Sequence, residues 1–200
     1  MFEEDVFKKV INLLNGNNIP YMLTGGLAVT VWGRARSTLD IDIVLDIKKV
    51  NIKKLTNAFQ KENFYIDEEA VEMALDKKFS FNAIDKETNT TIDCYLIGNN
   101  KYEAGRFQRK IIKNIVGIKV SVISPEDLVL IKLQWHKDSG STRHLEDAES
   151  ILKISKVDLK YIKEWAGKQE TINILKKLLK KIIHDTNIRI STNDTNEYKS

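Results

Sequence analysis

Apolar residues recur along this chain with two periods, near 3.6 and near 2, and the two alternate in blocks. Residues 3–15 place Val6, Phe7, Val10, Ile11 and Leu14 on one side of a helix that stops at Asn15-Gly16-Asn17-Asn18. Pro20 opens a short strand, Tyr21-Met22-Leu23-Thr24; Gly25-Gly26 breaks it, and residues 27–32 read as helix up to Gly33. Strict alternation in Thr38-Leu39-Asp40-Ile41-Asp42-Ile43-Val44-Leu45 predicts a strand with Leu39, Ile41, Ile43 and Leu45 on one face and Asp40 and Asp42 on the other. Helices follow over about residues 50–62 and 68–75. Residues 79–84 and 91–97 form a hairpin about the turn-rich Asp85-Lys86-Glu87-Thr88-Asn89, and residues 109–123 hold two more β runs separated by Gly117.

From Ser124-Pro125-Glu126-Asp127, an N-cap followed by proline and acidic residues in the first turn, the pattern turns helical. Three or four helices fill residues 126–184, the last over 169–183, and residues 186–200 have too little apolar content to order themselves. The pattern therefore predicts an α/β (α+β) protein: a small mixed β-sheet flanked by helices in residues 1–123, a C-terminal helical segment in 124–185 closing one side of a cleft, and a disordered tail over 186–200.

Composition narrows the class only a little. No run approaches the ~20 apolar residues of a membrane span, and the acidic, amphipathic start is unlike a signal peptide, so a cytoplasmic protein is expected. The single Cys94 excludes a disulfide framework and a cysteine metal site. Net charge is +4, split between an acidic first half of about −3 and a basic second half of about +7. A metal site accounts for part of the first; a polyanionic partner, or nothing beyond solvated helix faces, accounts for the second. His136, His144 and His184 share no ligand spacing, and Trp32, Trp135 and Trp165 fall on apolar helix faces.

Candidate chemistry centres on Asp40 and Asp42. Two carboxylates on one strand face, at ~5 Å and an effective dielectric of ~20, repel by roughly 3 kcal/mol. Solvent or a divalent cation relieves that, and magnesium takes one or two carboxylates plus substrate phosphates. Gly25-Gly26, between a strand and a helix N-terminus, lets backbone N–H groups approach a triphosphate. The helix after the pair is short, so the next strand brings Asp40 and Asp42 back beside that turn. Two-metal nucleotidyl transfer needs one more acidic ligand, and Asp93, flanked by apolar neighbours in Thr91-Ile92-Asp93-Cys94-Tyr95-Leu96, fits. Arg34 and Arg36 precede the aspartate strand and are candidates to reach phosphates.

Gly-Gly, thirteen intervening residues, then Asp-Ile-Asp-Ile, with a later lone strand aspartate, resembles the core signature of the polymerase-β-type minimal nucleotidyltransferases. Gly25-Gly26-Leu27-Ala28, Arg36-Ser37-Thr38-Leu39-Asp40-Ile41-Asp42, Ser124-Pro125-Glu126-Asp127-Leu128 and Lys132-Leu133 are similar to the AbiEii-like branch, which includes toxin partners of toxin–antitoxin and phage-defence modules. The spacing lies near the long end of the family's range, and Gly26 stands where serine is frequent. The resemblance covers about residues 20–150. It implies that Asp40, Asp42 and Asp93 hold Mg2+, with Mn2+ as an alternative, and that Gly25, Gly26, Arg36 and Lys132 bind the nucleotide. Lys132 and Asp147 match the branch's later lysine and aspartate motifs and join the catalytic set, with Lys132 neutralising triphosphate charge and Asp147 holding an arginine, the acceptor or Lys132. The implied activity is transfer of a nucleoside monophosphate from an ATP-like triphosphate to an acceptor hydroxyl, with tRNA or protein as acceptor and a cognate antitoxin as partner. A small-molecule antibiotic as acceptor, and a silent binding or regulatory protein of the same fold, are the alternatives.

Overall fold

The computed structural model describes residues 4–77 and 79–194, with side chains to 185. The chain packs as two compact units, one of residues up to 31 and 35–124, the other of residues 32–34 and 125 onward.

The first unit contains α1 (Glu4–Gly16), β1 (Tyr21–Leu23), α2 (Gly25–Trp32), β2 (Ile41–Leu45), α3 (Ile52–Lys61), β3 (Phe64–Ile66), α4 (Glu68–Lys77), β4 (Ser80–Asp85), β5 (Thr91–Leu96), α5 (Lys101–Gln108), β6 (Ile111–Ile115) and β7 (Ile118–Val122). Its strands form a seven-stranded mixed sheet in the order β3-β4-β5-β2-β1-β7-β6, with β2 parallel to β5, β1 parallel to β7 and the other neighbours antiparallel. Ile41, Ile43 and Leu45 of β2, Ile92, Cys94 and Leu96 of β5, and Phe81 and Ala83 of β4 are buried. Phe7, Val10, Ile11 and Leu14 of α1 and Leu55 and Phe59 of α3 complete the core. Phe59 meets Phe64 edge to face with centroids 5.3 Å apart.

Asp85 closes the β4–β5 hairpin. Its fully buried carboxylate accepts from the backbone N–H groups of Glu87 and Thr88 and from Thr88 Oγ1, while Lys9 of α1 donates to Oδ2 at 2.8 Å. Burial alone would push this carboxyl up, but Lys9 and the two amides outweigh it and hold Asp85 below its ordinary value. One acid thus fastens both the turn and the first helix.

The second unit contains α6 (Pro125–Ser139), α7 (Thr142–Ile154), α8 (Leu159–Lys168) and α9 (Ile172–Asp194). Asp158 caps α8 by accepting from the N–H groups of Lys160 and Tyr161. Trp32, Gly33 and Arg34, at the end of α2, pack here: Ser155 donates to Trp32 O and Arg34 N–H donates to Ser150 Oγ.

Most predicted elements are present, with four differences. The aspartate strand begins at Ile41, so Leu39 is not on an apolar face but 75 % exposed in the preceding bend, together with Asp40. Helix α2 begins at Gly25 itself, so the glycine pair forms its first turn rather than a break before it. Strand β3 and helix α5 carry no sequence expectation, because three residues are too few to show a period and α5 is only weakly amphipathic. Helix α9 starts at Ile172, later than expected, and is described to Asp194; the rest of the tail expected over 186–200 lies outside the described residues. Among the described residues no helix is long and apolar enough to cross a membrane.

Candidate active site

Strand register assembles the acidic site. Asp42 on β2 stands directly across from Asp93 on the parallel neighbour β5, and paired residues on adjacent strands share a face. Asp40 lies two residues earlier, near enough that its charge acts on both Asp93 and Tyr95. Burial, then the charges of Asp42 and Asp40, push the Asp93 carboxyl above its ordinary value. Tyr95, two residues beyond Asp93 on the same face, hydrogen-bonds Asp42 and is pushed up to about 12 by burial and by the three acids, so it stays protonated and donates.

The glycine pair meets this group directly. Gly25 has φ +63°, a left-handed conformation that favours glycine, and a Cβ there would overlap the Asp42 carboxylate. Gly26 N–H donates to Asp42 Oδ2 at 3.3 Å. A Cβ on Gly26 would lie 2.6 Å from Arg36 Nη2 and 2.7 Å from Thr38 Oγ1. The Arg36 guanidinium therefore fills the space that a serine side chain would take at this position. Gly25, Gly26, Arg36, Asp42 and Asp93 thus converge within the first unit, with Asp40 at its margin.

Lys132 and Asp147 belong to the second unit, where they are each other's partner. Lys132 Nζ is 2.9 Å from Asp147 Oδ2, and both side chains are buried. The ammonium also lies 4.9 Å from the centre of the Trp135 ring. Arg34 approaches Asp147 Oδ1 at 3.9 Å and pairs with Glu146 at 2.6 Å. Of the roles open to Asp147, holding Lys132 and an arginine are the ones this geometry provides. Lysines 176, 177, 180 and 181 lie on the exposed side of α9, where Lys181 pairs with Glu149 at 2.6 Å.

Two side chains that the sequence did not single out touch the acids. Asn82 of β4 sits across from Asp93, and Tyr95 reaches Asp42. Both follow from strand alternation once the β4–β5 and β2–β5 registers are known, and neither register is visible in the sequence.

Among the described residues no group of three or more His, Cys, Asp and Glu side chains forms a ready-made metal cage. The donor chemistry nonetheless fits a hard divalent cation: oxygen ligands only, with Asp42 and Asp93 in register on adjacent strands.

No protein-family model and no curated protein matches the chain. Solved structures do. The chain is similar to ANT(2'')-Ia in complex with adenylyl-2''-tobramycin, with a TM-score of 0.59 and 15% identity over 84% of this chain and 96% of that one. It is also similar to the lincomycin-bound lincosamide antibiotic adenylyltransferase LnuA, with a TM-score of 0.53 and 19% identity over 74% and 97% of the two chains. A Thermotoga maritima protein assigned as a nucleotidyltransferase matches with a TM-score of 0.50 and 15% identity over 70% and 90%. At these identities the likeness shows the fold, and the fold is that of the nucleotidyltransferases.

Proposed function

We propose that this chain, built on the nucleotidyltransferase fold, moves a nucleoside monophosphate from a nucleoside triphosphate to an acceptor hydroxyl, the α–β phosphoanhydride bond breaking and pyrophosphate leaving. The observation that carries this reading is the in-register pair Asp42–Asp93 beside the Gly25-Gly26 turn. Asp40, Asp42 and Asp93 would hold Mg2+, or Mn2+ in its place. Bound there, the ion would neutralise charge developing on the transferred phosphoryl group. Arg36, packed on Gly26, orients phosphate oxygens at the N-terminal turn of α2. Asp42 is held by Tyr95 and Gly26 N–H. Asp93, across from Asp42, takes the acceptor's proton on a carboxylate oxygen. In the second unit Asp147 holds Lys132 and lies beside Arg34.

Two acceptor classes are supported by different observations. ANT(2'')-Ia with adenylyl-2''-tobramycin and LnuA with lincomycin favour a small antibiotic-type hydroxyl compound. The AbiEii-like motifs and the lysines of α9 favour a toxin that modifies tRNA or protein and has a cognate antitoxin. Incubation with each α-labelled triphosphate, Mg2+ or Mn2+, and in turn total RNA, total protein, tobramycin or lincomycin decides between them. Label on RNA or protein supports the toxin reading, label on the small molecule supports the other, and no label on any acceptor, with no pyrophosphate released, contradicts transferase activity.

A further inference from the structure

Asn82 lies in the middle of β4, directly across from Asp93, on the face of the sheet that also carries Asp42 and Tyr95. One end of its amide lies 3.2 Å from Asp93 Oδ1 and 3.1 Å from Phe81 O; both are acceptors, so that end is assigned as the nitrogen, which donates to both. Packing does not account for it. Asn82 is exposed, its neighbours on the same strand face, Ser80 and Ile84, are half-buried, and asparagine is among the residues least suited to a strand interior. Backbone pairing to β3 and β5 already holds β4 on both sides.

Electrostatics gives the residue a reason to be there. Asp93 stands in register with Asp42 on the same face, so repulsion favours any rotamer that swings its carboxylate away. A lysine or arginine at position 82 would hold the carboxylate but would also supply the positive charge that a cation is meant to bring. A neutral amide orients one oxygen and leaves the negative charge in place. Strands β2 to β5 contain neither lysine nor arginine, consistent with a face kept anionic.

We propose that Asn82 is a positioning residue that fixes the Asp93 carboxylate through Oδ1, so that Oδ2 is presented to the cation and the acceptor. This rests on the nucleotidyltransferase reading, and the test separates the two. Mn2+ alone is titrated into wild type, Asp42→Ala, Asn82→Leu and Asn82→Gln, with loss of the free-ion EPR signal as the readout and the melting temperature as the control for folding. Loss of a hydrogen bond behind a metal ligand typically weakens metal binding 10–100-fold, so Asn82→Leu is expected to bind Mn2+ about 10-fold more weakly at an unchanged melting temperature, and Asn82→Gln, which keeps the donor, within about threefold of wild type. In the transfer assay kcat falls with Asn82→Leu while KM for the triphosphate stays near the wild-type value. Equal Mn2+ affinity in wild type and Asn82→Leu overturns the positioning role and leaves the nucleotidyltransferase reading standing. Equal affinity in wild type and Asp42→Ala overturns the carboxylate site itself, and the role of Asn82 with it.

Discussion

Asp42 and Asp93 face each other across two parallel strands, β2 and β5, on the side of the sheet away from Ile41, Ile43, Ile92 and Cys94. The fold therefore holds two like charges side by side, and that arrangement has a measurable thermodynamic signature.

Replacing Asp93 by Asn is expected to abolish transfer without weakening the fold. Because the folded protein holds the Asp93 pKa above its ordinary value, the ionised group opposes folding at neutral pH, and the opposition disappears as pH falls below the unfolded value of about 3.9. Asp93→Asn should melt at or above the wild-type temperature at pH 7, and the difference should shrink in acid. Differential scanning calorimetry at pH 7 and pH 3.5 checks this; a variant several degrees less stable than wild type at pH 7 contradicts it.

Asp85 carries the opposite sign. Its pKa is held below the ordinary value, so the stability that its ionised form adds is complete above about pH 3.9 and is lost as pH falls through the folded value. Asp85→Asn weakens the Lys9 bond and the turn, and about 2 kcal/mol of destabilisation is expected at pH 7. Urea unfolding from pH 7 down to pH 2.5 should show the gap between wild type and variant closing in acid; a constant gap would mean that the charge is not the source.

Strand alternation, the glycine pair and the apolar periods of α1 and α3 made the core elements legible, because each is a local pattern that the tertiary structure needs and does not override. The D-x-D spacing was legible for the same reason. What was not legible depends on contacts distant in sequence. The register that sets Asp93 opposite Asp42 and Asn82 opposite Asp93 is fixed by a seven-stranded sheet. The resemblance offered Lys132 as one of three partners for Asp147, but the burial of that pair depends on how α6 meets α7. Leu39 shows the converse error: alternation continued on paper past the residue where the strand begins.

Lys132 and Asp147 make a second test. Removing one partner of a buried ion pair strands the other, at a typical cost of about 3–5 kcal/mol, whereas replacing both with apolar residues recovers much of it. Lys132→Met and Asp147→Leu are each expected to unfold at markedly lower urea concentration than wild type, and the double variant at a higher concentration than either. Single variants as stable as wild type would mean that the pair does not hold the second unit together.

Val116 occupies a left-handed position, φ +44°, in the two-residue turn between β6 and β7, next to Gly117 at φ +86°. A β-branched residue is strained there, while asparagine before glycine is favoured in such turns. Val116→Asn should stabilise the protein by about 1 kcal/mol. Chemical denaturation measures it, and an unchanged or lower midpoint rules out the strain.

The central claim is that the carboxylates beside the glycine turn perform nucleotidyl transfer. Its most direct test is release of pyrophosphate and transfer of α-label from a nucleoside triphosphate by wild type and by Asp42→Ala, in the same Mg2+ buffer and acceptor mixture, with circular dichroism confirming that both are folded. The account predicts transfer by wild type and a loss of about three orders of magnitude or more in the variant. Full activity in a clean, folded Asp42→Ala preparation would contradict it.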